Sequence, residues 1–292
     1  MNLQTVLDAL FPSGHSVQVE GKVLTGDAMT EQGTVAVLGT TDAAAIDHQM
    51  ALALSGFVLN TIERHPGRPL VFLVDTSGQA LSRSQELLCL NGSLAHLAQC
   101  VDLARRQGHR SISLVTANAV SGGFLSFGLM ADRAYALADA QVRVMDLRAM
   151  ARVTKIDHDR LLKLAEGSPI FAPGADNYRS MGGIDAIWAA PDAALLASVL
   201  ASANADDRRM AVGAARGGRL HADVVARTVQ SALAAWACAV TIVSFCAREP
   251  ISARHVQLFR PACRKASGNG WRQGDLSWSP ASLRIGKASC LA

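Results

Sequence analysis

The chain has 292 residues, half of them hydrophobic, 18% charged and 5% aromatic, a composition that excludes a disordered or disulfide-dense protein. It is long enough to bury a sizeable core, in one large domain or two small ones. The formal net charge of +4 is unevenly spread. Residues 236–292 hold eight Lys/Arg against two Asp/Glu, whereas residues 1–235 hold 20 against 22, so the body of the chain has no basic excess with which to hold nucleic acid.

The N-terminal stretch MNLQTVLDALFPSGHS lacks the basic-then-apolar order of a secretory signal. Ser16–Thr25 and Gly33–Gly39 alternate or run apolar like strands. Asp42–Glu63 reads helical, with Ala44, Ile46, Met50, Leu52, Leu54 and Val58 in the apolar positions, and His65-Pro66-Gly67-Arg68-Pro69 ends it. Leu70–Val74 is a buried strand, followed by a loop over residues 75–83 and a helix from about Ser84 to Arg106 that stops at Gly108. Ser111–Val115 is the next strand, Ala119-Val120-Ser121-Gly122-Gly123 a turn, and Phe124–Met130 an uncharged helical run, with more strand beyond it. After Asp146 the pattern is helical over Asp157–Glu166, Ala175–Met181 and Ala193–Ala205, with Ile184–Trp188 a short strand.

This alternation predicts an α/β fold with parallel strands, whose loops leave the carboxyl ends of the strands, where such folds hold ligands. The Gly-Gly turn is the most informative feature. Two glycines let backbone approach a ligand closely, and a helix start points N–H groups at it. Such groups can hold the oxyanion of a thioester enolate. A tight turn that packs helix against strand is the plainer alternative.

Six cysteines form no C-x-x-C pair and no metal-like spacing with the histidines. Free thiols in a reducing cytosol are therefore expected, with no metal. Thr228–Ala247 carries no charge and is long enough for a membrane span. Gln230, Ser231, Thr241 and Ser244 dilute it, so no membrane insertion is expected. Residues 1–235 are expected to form one domain and residues 236–292 a divergent, poorly ordered basic tail.

LVFLVDTSGQALSRSQE (residues 70–86) and residues 111–146 resemble the crotonase/carboxyltransferase superfamily. Five longer segments are similar to the gamma subunit of biotin-independent malonate decarboxylase. They are VDTSGQALSRSQELL (Val74–Leu88), NGSLAHLAQCVDLARRQGHR (Asn91–Arg110), AVSGGFLSFGLMADRAYAL (Ala119–Leu137), VRVMDLRAMARVTK (Val142–Lys155) and SPIFAPGADNYRSMGG (Ser168–Gly183). The resemblance covers roughly Val17 to Ala232.

That resemblance implies a crotonase-like spiral of strand–strand–helix units and a cytoplasmic carboxy-lyase subunit that shares its site with a beta subunit. The substrate would be malonyl thioester on the phosphopantetheine-type arm (phosphoribosyl-dephospho-CoA) of an acyl carrier subunit. No cofactor would be bound directly, because the thioester carbonyl is itself the electron sink. Loss of CO₂ would leave an enolate held by the Gly122 and Gly123 amides, with Ser84 and Gln85, in the Ser82–Gln85 loop, as a second oxyanion site. That loop reads equally as a helix N-cap. Ser121 and Phe124 flank the turn as substrate contacts; V-S-G-G-F is not the G-x-S-x-G elbow of a nucleophilic serine. Arg152 and Lys155 are cations that could meet a carboxylate or phosphate, or form a solvated face. Asp146 reads as a structural turn residue, His96 as a hydrogen-bonded core or interface histidine, and His109 carries no chemistry.

Three other functions remain open. An enoyl-thioester hydratase or isomerase needs paired carboxylates. Here the first position holds Leu125 or its neighbours Phe124 and Ser126, and Asp146 alone lies near the second. A biotin-dependent carboxyltransferase half also stabilises an enolate. A non-catalytic assembly subunit would use the Ala/Leu-rich helices as an interface.

Overall fold

The computed structural model describes residues 2–145, 147–167, 173–202, 206–218 and 221–233. Contacts divide the chain into two units, Met1–Asp223 and Val224–Ala292. Every element named below belongs to the first. Residues 224–233 of the second unit are helical. The expected boundary after residue 235 and the expected basic tail both lie outside the described residues. So does Asp146.

The Asn2 side chain accepts from the Gln4 N–H at 2.9 Å and starts α1 (Leu3–Leu10), which buries Val6, Leu7 and Leu10. An antiparallel meander follows: β1 (Gln18–Glu20), β2 (Val23–Thr30) and β3 (Gly33–Thr40). The chain then alternates through β4 (Ala44–Ile46), α2 (His48–Arg64), β5 (Leu70–Gln79), α3 (Arg83–Leu87), α4 (Leu90–Arg106), β6 (Ser111–Val120) and α5 (Ser121–Ser126). It continues with β7 (Arg133–Leu137), β8 (Gln141–Arg143), α6 (Leu147–Thr154), α7 (His158–Gly167), α8 (Ala175–Ser180), β9 (Ala186–Trp188), α9 (Ala193–Ser202) and α10 (Arg209–Ala215).

The main sheet runs β1-β2-β3-β5-β6-β7-β9, with every pairing from β3 onward parallel. β5 and β6 lie centrally. Leu70–Val74 and Ser111–Val115 are buried throughout, as β-branched and apolar runs covered on both faces should be. Phe72 meets Phe127 edge-on, with ring centroids 6.0 Å apart.

Both strands outlast their shared pairing. Their register runs from Leu70↔Ser111 to Val74↔Val115, shifts, and resumes at Thr76↔Ala119. Past the shift, β5 takes β4 as a partner and β6 takes β8. Strand, short strand and helix thus recur along the chain, which is the spiral crotonase-like architecture expected from the sequence.

Three sequence expectations are corrected. Ala44 and Ile46 belong to β4 rather than to a helix, and α2 begins only after Asp47, whose carboxylate accepts from the Met50 N–H at 2.8 Å. The helix expected over residues 84–106 is two helices, because Cys89 between them adopts φ +55°. The helix expected over Phe124–Met130 begins earlier, at Ser121, and ends at Ser126.

The central sheet also predicts its own weak point. A Cβ at Gly39 would lie 1.9 Å from the Leu73 carbonyl oxygen, where β3 pairs with β5. Gly39→Ala is expected to destabilise the fold by about 3 kcal/mol, because two paired backbones cannot separate without breaking the ladder. A urea-unfolding midpoint equal to that of the parent chain would contradict this.

Candidate functional site

The site is built where β5 and β6 end. Asp75 fastens three segments there. Its Oδ2 accepts from the Ala43 N–H at 3.0 Å, and its Oδ1 accepts from the Asn118 N–H and side-chain amide, each at 3.0 Å. Thr76 is fully buried; its hydroxyl donates to the Ala44 carbonyl at 2.6 Å and accepts from the Gly78 N–H at 3.0 Å. Gly78 takes φ +105°, a conformation open to glycine, with Val120 O within 3.3 Å of where a Cβ would stand. The chain then presents Gln79 at the strand's carboxyl end.

Opposite, β6 turns into α5 through Ser121 at φ +49°, a left-handed conformation that costs a non-glycine residue on the order of 1 kcal/mol or more. The turn aims the Gly122 N–H at the Gln79 Oε1, 3.2 Å away. Gly123 is wedged against β5: a Cβ there would lie 2.8 Å from Thr76 Oγ1 and 2.9 Å from the Gly78 carbonyl. The close approach that the Gly-Gly pair permits is thus between α5 and the end of β5 at Gly123, and towards a pocket at Gly122.

That pocket has a volume of about 420 Å³. Gln79, Gly122, Leu125 and Ser126 line one side, and Glu86, Leu90, Asn91, Leu94, Ala95 and Ala98 the other. It therefore lies between the α5 turn and the α3–α4 pair. Mostly apolar walls with a few convergent polar groups suit a thioester arm. The described lining holds one carboxylate, Glu86, and no histidine. A serine–histidine nucleophile and a paired-carboxylate hydratase therefore both lack a partner group at this pocket. Leu125, 46% exposed, offers an apolar side chain where a hydratase would need an acid.

The other expected site residues are placed as follows. Gln85 and Ser84 do not line the pocket. Ser82 caps α3 by accepting from the Gln85 N–H at 3.3 Å, Ser84 Oγ lies 3.0 Å from Ser82 Oγ, and Gln85 Oε1 accepts from the His48 N–H at 2.8 Å. The N-cap alternative describes this loop, which ties α3 to the start of α2. Phe124 is 1% exposed and packs against Tyr178 with ring centroids 6.2 Å apart, so its side chain serves the core, in place of the expected substrate contact. Ser121 is half-buried beside the pocket but is not among its lining residues. Arg152 on α6 and Lys155 just after it are exposed and also stand apart from that lining.

His96 is exposed, with Nε2 3.6 Å from Cys100 Sγ, and His109 is buried with Nδ1 2.9 Å from the Arg68 carbonyl. Cys89 and Cys100 are free; burial pushes the Cys100 thiol up, which keeps it protonated and unreactive. Among the described residues no cluster of His, Cys, Asp and Glu could hold a metal, and no helix is long and apolar enough to cross a membrane. Most of the uncharged run Thr228–Ala247 lies outside them.

Sequence reasoning passed over Gln79, Glu86, Asn91 and Leu94. For Gln79 a signal existed: a polar residue that ends a buried strand in an α/β fold stands where ligands bind. The two glycines should respond differently to alanine. At Gly122 a Cβ would meet the movable Gln79 side chain at 3.1 Å, whereas at Gly123 it would meet backbone. Gly122→Ala is expected to unfold within about 0.5 kcal/mol of the parent chain, and Gly123→Ala about 2 kcal/mol below it. Equal denaturant midpoints for the two variants would contradict the wedge at Gly123.

Comparison with known proteins bears on this arrangement. The family model described as malonate decarboxylase gamma subunit matches residues 41–233. The chain is similar to a Pseudomonas malonate decarboxylase hetero-tetramer solved in complex with coenzyme A, with a TM-score of 0.66 and 25% identity, covering 77% of this chain and 97% of that one. It is similar to the Pseudomonas MdcD–MdcE hetero-dimer as well, with a TM-score of 0.63 and 25% identity over 78% and 97%. Of curated proteins, the malonyl-S-ACP:biotin-protein carboxyltransferase MADD of Malonomonas rubra is 34% identical over 121 residues, which is 40% of this chain. The match spans 41% of that relative's length. With its family model covering the β5 end, both glycines and the α3–α4 wall, the chain belongs to the malonate decarboxylase gamma subunit family.

Proposed function

We propose that this chain acts as one subunit of a cytoplasmic malonyl-thioester decarboxylase and that the Gly122 amide helps to hold the thioester enolate. The observation that carries this reading is the Gly122 N–H, bonded to Gln79 Oε1 in the lining of a 420 Å³ pocket, inside a segment that matches the gamma-subunit family. The pocket's apolar walls suit a pantetheine-type arm that carries the malonyl group on an acyl carrier subunit. The coenzyme A bound by the Pseudomonas hetero-tetramer has an arm of that chemistry. The partner would be a beta subunit, as in the Pseudomonas hetero-dimer. The two free thiols Cys89 and Cys100 suit a reducing compartment.

The chemistry follows from the acceptor. When the bond between C2 and the carboxylate breaks, CO₂ departs and the electron pair moves through C2 to the thioester oxygen. Negative charge develops on that oxygen, and a fixed N–H stabilises it more strongly than it stabilises the neutral carbonyl of the bound substrate. A proton then reaches C2 and leaves an acetyl thioester. Gly123, the other glycine of the expected oxyanion turn, is buried and not among the residues that line the pocket; it holds the turn against β5. Arg152 and Lys155, exposed and apart from this pocket's lining, would meet the carrier subunit.

A second reading has its own support. The Malonomonas relative is a carboxyltransferase to a biotin protein, and such an enzyme needs the same enolate. The two differ in where the carboxyl group goes. The assembled complex, given malonyl thioester on its carrier subunit, is expected to release CO₂ without any biotin protein. Gly122→Pro, checked for assembly, is expected to lower that rate by about 10²–10³-fold, since one oxyanion donor is worth about 2.7–4 kcal/mol. Release of CO₂ that depends on added biotin protein, with carboxybiotin as the first product, would favour the transferase reading.

A further inference from the structure

The Gly122 N–H already has a partner: the Gln79 Oε1, 3.2 Å away. An N–H can donate only to the oxygen of that amide, so the contact fixes which end of the Gln79 side chain faces the turn. The same side chain lines the 420 Å³ pocket. A thioester oxygen that approaches the Gly122 N–H must therefore displace Oε1, and any oxygen left beside it would be repelled as enolate charge develops. Rotation of the terminal amide about its last bond, a broad two-fold torsion, removes this conflict. It puts Nε2, a donor, where Oε1 stood.

We propose that Gln79 is a switchable second donor of the site: its amide oxygen holds the Gly122 N–H while the pocket is empty, and its amide N–H donates to the enolate oxygen when the thioester is bound. The inference rests on the enolate reading of the pocket given above.

Two further observations support it. The loop expected to supply the second donor does not line the pocket, and the Gln85 N–H is taken up by the Ser82 cap at 3.3 Å. The Gln79 backbone, in contrast, is held firmly. Gln79 pairs with Ile46 across β4 and β5, and the next residue, Ala80, donates its N–H to the Ile46 carbonyl at 2.8 Å. The side chain can therefore turn over without moving the strand, and only its terminal amide must reorient when the thioester binds.

The test uses the complex with its beta and carrier subunits and two assays: CO₂ release from malonyl thioester, and exchange of the acetyl-thioester methyl protons for deuterium. Exchange requires the enolate but no carbon–carbon cleavage. Gln79→Glu keeps the shape but only accepts when ionised; Gln79→Met keeps the length but has no donor. Both variants are expected to lose on the order of 10²–10³-fold in kcat and in exchange, with KM changed less than about threefold and unfolding midpoints unchanged. Parent-like kcat and exchange in Gln79→Met would overturn the inference alone and leave Gln79 as a tie between α5 and β5. Retained activity in Gln79→Glu would also overturn it, because an acceptor would then suffice. A parent complex that neither releases CO₂ nor exchanges protons would overturn both this inference and the enolate reading beneath it.

Discussion

The register shift between Val74 and Thr76 is the constraint on which the rest of the structure depends. Up to that point β5 and β6 are partners in an ordinary parallel ladder with an apolar surround. Beyond it they keep the pair Thr76↔Ala119, and each takes a short strand of its own. A break inside a central strand exposes backbone groups that must be satisfied locally. Asp75 and Thr76 do this, by accepting from Ala43, Asn118 and Gly78 and by donating to Ala44. The strand end is thereby rigid without being part of the main ladder, and it can face a pocket.

From that end the chemistry is set by short links. Gly78 and Gly123 allow α5 to sit against β5 with no side chain between them. This contact fixes the direction of the Gly122 N–H. Ser121 takes the left-handed conformation at the turn, a local cost that the wedge of α5 against β5 sustains. On the far side, the break at Cys89 divides α3 from α4, so that Glu86 and Leu90, Asn91 and Leu94 can face the same space from two helices. A backbone N–H and an apolar pocket thus converge, although the described lining does not include a nucleophile with its base.

Much of the fold was legible in the sequence because its strands are continuous apolar runs. Leu70–Val74 and Ser111–Val115 can be read as buried parallel strands, and Pro66-Gly67 stops a helix by mechanism. The parts that were not legible depend on pairing rather than on local pattern. Ala44-Ala45-Ile46 has the composition of a helix start and becomes β4 because the freed end of β5 needs a partner. Cys89 carries no glycine or proline signal, so nothing in Leu87-Leu88-Cys89-Leu90 announces a break. The Gly-Gly turn was found because its residue types are dictated by geometry that is visible in one dimension. Its partner Gln79 was not, because a hydrogen bond across 43 residues leaves no mark on spacing. Ser84 and Gln85 illustrate the reverse: a sequence pattern that suits an oxyanion loop also suits a helix cap, and in the structure the cap takes the donor.

The proposed site turns on whether the Gly122 amide receives the thioester oxygen. Glycine-selective ¹⁵N labelling of this chain in the assembled complex, with the Gly122 signal assigned by its loss in Gly122→Ala, would follow that N–H as an acetyl-thioester arm is added. The Gly122 proton resonance is expected to move on binding, as the thioester oxygen replaces the Gln79 amide oxygen at that N–H. Binding of the arm with the Gly122 resonance unmoved would contradict it.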